Sequence, residues 1–317
     1  MSFNILGTGF YVPEFVVTNE QLTKLVDTSD EWITQRVGVK ERHISKDETA
    51  SDMAVKASLS ALECADLTAD KLDLIIAASV SSDTACPTVA SSVQRDIGAS
   101  CPAFDINSAC SGFLFALDVA SAYLMRDDIN NVLVIGAERL SKITDWSDRG
   151  TCVIFGDGAG AFVLTKGDNL LASKIYTKGG DEVLSIPNHN GTSPFYTGES
   201  KKPYISMDGQ ETFKFAVNKI VDDIKYVVDK AGLTLDDVDY VVPHQANIRI
   251  IEYASKRLGV PKEKFYVNIQ KYGNTSAASV PIAFSELSKS GKLKKGDIVV
   301  MSAFGGGLSS AACLIRI

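Results

Sequence analysis

The chain has 317 residues, 45% hydrophobic and 22% charged, an ordinary globular composition with room for two domains or one large duplicated one. A formal net charge of −7 excludes a general affinity for nucleic acid or an anionic membrane surface, so an acidic partner must meet a local basic patch. Six cysteines without close pairing or a C-x-x-C motif point away from a disulfide framework and from zinc; with no signal-like N-terminus and no apolar run of about 18 residues, a cytoplasmic protein in a reducing compartment is expected.

Phe3 to Phe10 is strand-like. Thr18 or Asn19 caps a helix carrying Glu20, Leu22 and Leu25. Ser29 to Arg36 reads as a second short helix, with Trp32 and Arg36 four apart on one face. Ser51 to Cys64 is helical in pattern, and Leu72 to Ser79 is an apolar run suited to a strand covered on both faces. Pro87 precedes a helix over Thr88 to Asp96.

Asp105-Ile106-Asn107-Ser108-Ala109-Cys110-Ser111-Gly112 then reads as strand, tight turn and the start of a long helix, with Phe113, Leu114, Leu117 and Ala120 at helical spacing. Cys110 sits on that turn among small residues. Unpaired N–H groups at a helix start favour a thiolate, so its pKa is expected to fall. Small neighbours leave room for a substrate carbon.

Asn131 to Gly136 is another buried strand, and Val153 to Phe155 and Ala161 to Thr165 are apolar segments around Gly156-Asp157-Gly158-Ala159-Gly160. That glycine run precedes a strand rather than a helix, which argues against a nucleotide loop. A less patterned region begins near Lys166, and the boundary between two units, 1–168 and 169–317, is placed there. Residues 178–203 are rich in Gly, Pro, Asn and Ser and read as a surface excursion. Phe213 to Lys230 is an amphipathic helix. Val238 to Val242 is a strand leading into Pro243-His244-Gln245-Ala246-Asn247, and Ile250 to Leu258 is a helix. Gly273-Asn274-Thr275-Ser276 opens a helix through Leu287. Ile298 to Ala303 and Ala311 to Ile317 are strands flanking Phe304-Gly305-Gly306-Gly307.

The order repeats in three places. Leu72 to Ile76 resembles Val238 to Val242, the Cys110 turn resembles the Asn274 turn, and Phe155-Gly156-Asp157-Gly158 resembles Phe304-Gly305-Gly306-Gly307. The chain therefore reads as an α/β protein built from a duplicated βαβαβ-type unit. Ligands in such sheets gather at strand C-terminal ends.

Of the three histidines, His43 and His189 read as surface residues, whereas His244 follows a buried strand. Asn274 taken alone is a helix cap. Together Cys110, His244 and Asn274 supply a nucleophile and two polar groups at strand ends, as thioester chemistry requires. The N–H groups of Cys110 and Gly306 could stabilise an oxyanion. Cys64, Cys86, Cys101, Cys152 and Cys313 lack a comparable turn and read as structural thiols.

Asp30-Glu31-Trp32-Ile33 with Arg36, the Cys110 turn, His244-Gln245-Ala246-Asn247, Gly273-Asn274-Thr275-Ser276 and Gly305-Gly306-Gly307 together resemble the β-ketoacyl-[acyl carrier protein] synthase III family, in order and along essentially the whole chain. The resemblance implies a thiolase-like fold of five alternating layers, αβαβα, and a homodimer. It implies that an acyl-CoA primes Cys110, with no cofactor or metal, and that malonyl-[acyl carrier protein] is then decarboxylated and condensed to begin type II fatty acid synthesis. His244 and Asn274 would hydrogen-bond the malonyl thioester carbonyl, Gly306 would complete the oxyanion hole, and Phe304 would shield the site. Trp32 would stack on the CoA adenine, with Arg36 and Arg149 near phosphates and ribose and Asn247 on the pantetheine. Lys214, Arg249, Lys256 and Arg257 would receive the acidic carrier protein. Elongating relatives use two histidines, and Asn274 in the second place favours the initiating type. A type III polyketide-like synthase would share Cys, His and Asn, but the carrier-protein patch argues against it; a Cys–His–Asn thioesterase and a non-catalytic CoA-binding protein are the rivals from other classes. Relatives restricted to acetyl primers often carry a bulky aromatic near Ala85-Cys86-Pro87, so a roomier acyl pocket is expected here.

Overall fold

In a computed structural model of the chain, residues 2–187, 194–195, 198 and 202–317 are described. The excursion at 178–203 is therefore described in part, and His189 lies outside the described residues.

The first unit runs β1 (Phe3–Tyr11), β2 (Val16–Thr18), α1 (Asn19–Leu22), α2 (Asp30–Arg36), β3 (Glu41–His43), α3 (Ala50–Cys64), β4 (Leu74–Ala78), α4 (Val89–Ile97), β5 (Ala103–Ile106), α5 (Gly112–Tyr123), β6 (Asn131–Glu138), α6 (Arg149–Cys152) and β7 (Gly158–Lys166). The second runs β8 (Leu170–Thr177), β9 (Leu184–Ser185), β10 (Ser206–Met207), α7 (Gly209–Lys230), β11 (Tyr240–Pro243), α8 (Ile248–Leu258), α9 (Ile269–Tyr272), α10 (Ser279–Lys289), β12 (Ile298–Gly305) and β13 (Ser309–Arg316). Helix starts are capped as their sequences suggest. Thr49 and Asp52 form a reciprocal box at α3, Ser29 accepts from the Trp32 N–H at α2, and Asp208 accepts two N–H bonds at α7.

The two main sheets are copies. One has the order β1-β7-β6-β4-β5 and the other β11-β12-β13-β8. In each, an antiparallel pair (β1 with β7, β8 with β13) continues through an antiparallel neighbour (β6, β12) to a parallel one (β4, β11). Even the fifth place survives: Ile75 pairs with Ala103 on β5, and Val241 makes a parallel bridge to Phe265. Strand β8 has no clear strand pattern in the sequence; its side chains alternate in burial, and the alternation is broken by the half-buried Ser173 and Lys174, after which Ile175 is exposed.

Residue parity shows the layering. Leu74, Ile76, Val132 and Val134 share one core with Phe113, Leu117, Val280 and Phe284 of α5 and α10, and with Val299, Met301, Cys313 and Ile315 of the other sheet. The alternate residues Ile75, Leu133, Ile135 and Val163 meet α3 and α4 on the opposite face. Val300 and Leu314 likewise meet α7 and α8. Two sheets thus enclose a central helix pair and carry an outer helix pair each, the αβαβα arrangement. Burying each such aliphatic side chain contributes about 1.5–3 kcal/mol.

Several expectations need correction. Helix α1 ends at Leu22, and Leu25 lies beyond it, exposed. The Phe155 and Phe304 segments are not equivalent: Phe304 is inside β12, whereas Phe155 makes only an isolated bridge to Asn274. The Gly158 pairing to Glu138 corresponds instead to Ser309 pairing with Gly305. His43 is half-buried, its Nδ1 on the Pro13 carbonyl oxygen and its ring beside Tyr272. Cys101, Cys152 and Cys313 are buried, but Cys64 and Cys86 are exposed and are not structural core thiols.

Candidate active site

A cavity of about 640 Å³ opens where the two copies meet, and Cys110, His244 and Asn274 all line it. Cys110 lies in a one-turn 3-10 segment, Ala109–Ser111, that leads directly into α5. The turn is tight enough to force Ala109 to φ +47°, a left-handed conformation few side chains adopt. Gly305 packs against it so closely that a Cβ there would lie 2.7 Å from the Cys110 nitrogen. Asn274 is held from the other side. Its N–H donates to the Ile154 carbonyl oxygen at 2.9 Å, and its own carbonyl oxygen accepts from the Gly156 N–H at 3.0 Å. Its Oδ1 accepts from the Ser276 N–H at 2.8 Å, which leaves the Nδ2 amide as a donor.

His244 follows β11 and is buried. Its N–H donates to the Ser302 carbonyl oxygen at 2.7 Å, and the Phe304 ring meets the imidazole edge-on with centroids 5.3 Å apart. Gln245 braces the same loop: Nε2 donates to the carbonyls of Pro243 and Tyr266, and Oε1 accepts from Asn268 and Ile269. Burial lowers the His244 pKa to about 3, so the ring is neutral at physiological pH. Nδ1 is buried without a hydrogen-bond partner.

The expected acidic thiol is not found. Burial pushes the Cys110 thiol up to about 12, with the Glu138 carboxylate adding to the rise and Ser276 opposing it. The helix start is present, but the cost of an anion away from water outweighs it. Cys110 therefore rests as a thiol, and no histidine cation neighbours it.

Gly306 and Phe304 line the cavity beside Cys110. Trp32, Arg36 and Asn247 line it as well. Arg149 stands 5.2 Å over the Trp32 ring and donates to the Asp27 carbonyl oxygen. Asn247 is committed on both sides: Nδ2 donates to the Arg36 carbonyl oxygen at 3.0 Å, and Oδ1 accepts from the Arg249 N–H at 2.9 Å. It ties α2 to the start of α8, helped by the Ile248 N–H donating to the Val37 carbonyl oxygen. Lys214, Arg249, Lys256 and Arg257 are all exposed on the packed pair α7 and α8. Lys214 pairs with Glu211 at 2.6 Å, and Arg249 sits over Phe213.

Sequence reasoning missed one wall of the cavity. Leu184 and Ile186, from the excursion read as surface, pack with Ile205 just beyond it and with Val80, Leu140 and Phe155. Strands β9 and β10 pair antiparallel, Leu184 with Met207 and Ser185 with Ser206, and the apolar residues Leu184, Ile186 and Ile205 were the available signal. Ala85, Cys86 and Pro87 are exposed and outside this cavity. Among the described residues, no cluster of three or more His, Cys, Asp or Glu could hold a metal. No helix among them is long and apolar enough to cross a membrane.

The family model for 3-oxoacyl-[acyl-carrier-protein] synthase III matches residues 104–179, and that for the family's C-terminal part matches residues 228–317. The chain is 48% identical over 320 aligned residues to the β-ketoacyl-[acyl-carrier-protein] synthase III of Clostridium acetobutylicum, covering 99% of this chain and 98% of that one. It superposes on the crystal structure of 3-oxoacyl-[acyl-carrier-protein] synthase III from Aquifex aeolicus with a TM-score of 0.94, 48% identity and full coverage of both chains. The Thermus thermophilus structure gives 0.93 at 40% identity, covering 99% of each.

Proposed function

The chain belongs to the β-ketoacyl-[acyl-carrier-protein] synthase III family, and from that premise we propose how its own residues carry the reaction. It is an acyltransferase of the kind that performs the initiating condensation of fatty acid synthesis. Acyl-CoA enters past Trp32, which stacks the adenine, with Arg36 and Arg149 at its phosphates. Asn247 is spent as a staple, so its part is to shape the channel for the pantetheine. The Cys110 thiol loses its proton as sulfur attacks the thioester carbon, the N–H groups of Cys110 and Gly306 take the developing oxyanion, and CoA leaves as its thiol. Malonyl-[acyl carrier protein] then docks on Lys214, Arg249, Lys256 and Arg257.

The neutral His244 ring and the Asn274 Nδ2 donate to the malonyl thioester carbonyl. They stabilise the enolate formed when CO₂ departs, and Phe304 keeps water away. The enolate carbon attacks the acyl-Cys110 carbonyl and expels sulfur, giving 3-oxoacyl-[acyl carrier protein]. The first half is an acyl transfer and the second a decarboxylation with carbon–carbon bond formation, and neither changes an overall redox state that would call for a redox cofactor. The observation that carries this reading is the Ser276 N–H on Asn274 Oδ1, which leaves a donor, not an acceptor, for the carbonyl.

The units 1–168 and 169–317 are the proposed copies. A homodimer through the edge of β5, which among the described strands pairs only with β4, would bring Ala85-Cys86-Pro87 of one subunit toward the other's acyl cavity. Lacking a large aromatic there, the pocket would take short branched or longer primers as well as acetyl. A cytoplasmic location agrees with these substrates. The test is intact mass after incubation with acetyl-, isobutyryl- and hexanoyl-CoA, for wild type and Cys110→Ser, followed by CO₂ release from malonyl-[acyl carrier protein]. One acyl adduct on wild type alone, discharged with CO₂ release, is expected. An adduct on another thiol, or hydrolysis without condensation, would overturn the reading, and strict acetyl use would end the primer proposal.

A further inference from the structure

Glu138 ends β6 fully buried, and its neighbours point donors at it. The Ser81 hydroxyl, the Val80 N–H at 3.1 Å and the Ser79 hydroxyl at 3.4 Å reach Oε2, while the Ala277 N–H reaches Oε1 at 3.4 Å. No cation pairs with it among the described ion pairs. One carboxylate thus joins two pieces of the cavity. Val80 is part of its wall, and Ala277 follows the turn that carries Asn274. That turn is pressed onto β6: a Cβ at Gly136 would lie 2.4 Å from the Ala277 carbonyl oxygen. Ser276 is held there at φ +48°.

The third link runs to sulfur. Ser276 Oγ is buried without a partner in hydrogen-bond geometry, yet its hydroxyl lies near enough to Cys110 and to Glu138 to favour the anion of each. Burial raises the Glu138 carboxyl to about 7 against those hydrogen bonds, and its charge in turn opposes ionisation of Cys110. The other charged groups near this corner are Arg139 and Lys142, each 3.2 Å from the Asp83 carboxylate, and Asp157, held by Ser45 and Ser141. The condensation as written makes no use of Glu138, and an unpaired buried carboxylate is costly to keep.

We propose that Glu138 is a positioning residue for the condensation, fixing the Asn274–Ala277 turn against the Val80–Ser81 wall and presenting its charge to Cys110 across Ser276. This rests on the roles given above to Cys110 and Asn274. An amide at 138 turns an N–H₂ toward these donors, so the turn loosens while the neighbouring charge disappears. The two effects push in opposite directions, which a merely structural residue would not do.

The experiment follows iodoacetamide alkylation of Cys110 against pH, read by mass on its own peptide and without substrates, in wild type and Glu138→Gln. CO₂ release from malonyl-[acyl carrier protein] is measured alongside. In wild type the alkylation rate is expected to climb less steeply above about pH 7, where Glu138 gains its charge. Glu138→Gln is expected to lose that break and to move the thiol profile at least about half a pH unit toward acid, while CO₂ release falls at least about tenfold and the acyl-CoA KM stays within about threefold. A wild-type profile without the break, a variant profile superimposing on it, or undiminished CO₂ release would each overturn the proposal. Should the variant not fold, the wild-type profile decides alone. A break at pH 7 on a cysteine that acyl-CoA never acylates would instead sink the nucleophile assignment.

Discussion

Asn107 and Asn274 hold equivalent places in the two copies, and each side-chain oxygen accepts from the N–H two residues on, Ala109 at 3.1 Å and Ser276 at 2.8 Å. Each of those next-but-one residues is left-handed, at φ +47° and +48°, and each begins a 3-10 turn into a central helix. By this register Cys110 corresponds to Ala277. The same Asn turn thus carries the proposed nucleophile in one copy and the proposed amide donor in the other.

Asn274→Ala removes both the turn bond and the donor. Decarboxylation is expected to fall about 10²–10³-fold, the usual cost of one preorganised donor, while acylation of Cys110 by acyl-CoA persists. Radiolabelled CO₂ release compared with acyl-enzyme mass separates the two; equal loss of both would contradict the assignment.

His244 is neutral in the folded protein down to about pH 3, whereas an unfolded histidine protonates near 6.5. Between those values the unfolded chain binds the extra proton, so this residue's contribution makes the fold less stable as pH falls. A His244→Asn variant is expected to gain stability relative to wild type by about 1.4 kcal/mol per pH unit through that window. Denaturant midpoints at pH 7, 6 and 5 test the slope, and parallel curves would show that the ring is not buried neutral.

At Gly305 a Cβ has no space beside the Cys110 backbone. Gly305→Ala is expected to cost about 1–3 kcal/mol through forced shifts and to slow acylation by acyl-CoA more than it weakens acyl-CoA binding. Pre-steady-state acylation and thermal melts read both effects; normal acylation would place the Cys110 turn elsewhere.

Reversing two exposed charges, Arg249→Glu with Lys256→Glu, is expected to raise the KM for malonyl-[acyl carrier protein] at least about tenfold at low salt and to leave acyl-CoA acylation unchanged. The difference from wild type should shrink as ionic strength rises, since exposed charges are screened. A salt-independent effect would point to misfolding of α8 rather than docking.

The sequence showed the polar positions better than their environment. Cys110, His244 and Asn274 were legible because each stands among small or polar residues just before a helix, a local pattern; the strand-end reading holds for His244 after β11 and for Cys110 after the half-buried β5, but Asn274 follows the short helix α9 rather than a strand. The thiol's ionisation was misjudged because helix-start N–H groups are visible in sequence, whereas enclosure by Glu138, Ser276 and Gly305 depends on positions 28 to 195 residues away from Cys110. The wall made by Leu184, Ile186 and Ile205 was hidden by the turn-rich sequence around it. Asn247 illustrates a further limit: its helix-capping role is local, but the bond to the Arg36 carbonyl oxygen crosses 211 positions.

The crossed supports around the reactive turns have an engineering consequence. Gly305, from the later copy, backs the turn that bears sulfur, and Ile154 with Gly156, from the earlier copy, clamps the turn that bears the amide. Neither repeat holds its own reactive turn in place, so a change on either side of the seam acts on the turn of the other. Fragments made by cutting the polypeptide between its repeats should stay chemically silent apart and recover turnover only when the complementary fragment rebuilds the shared seam.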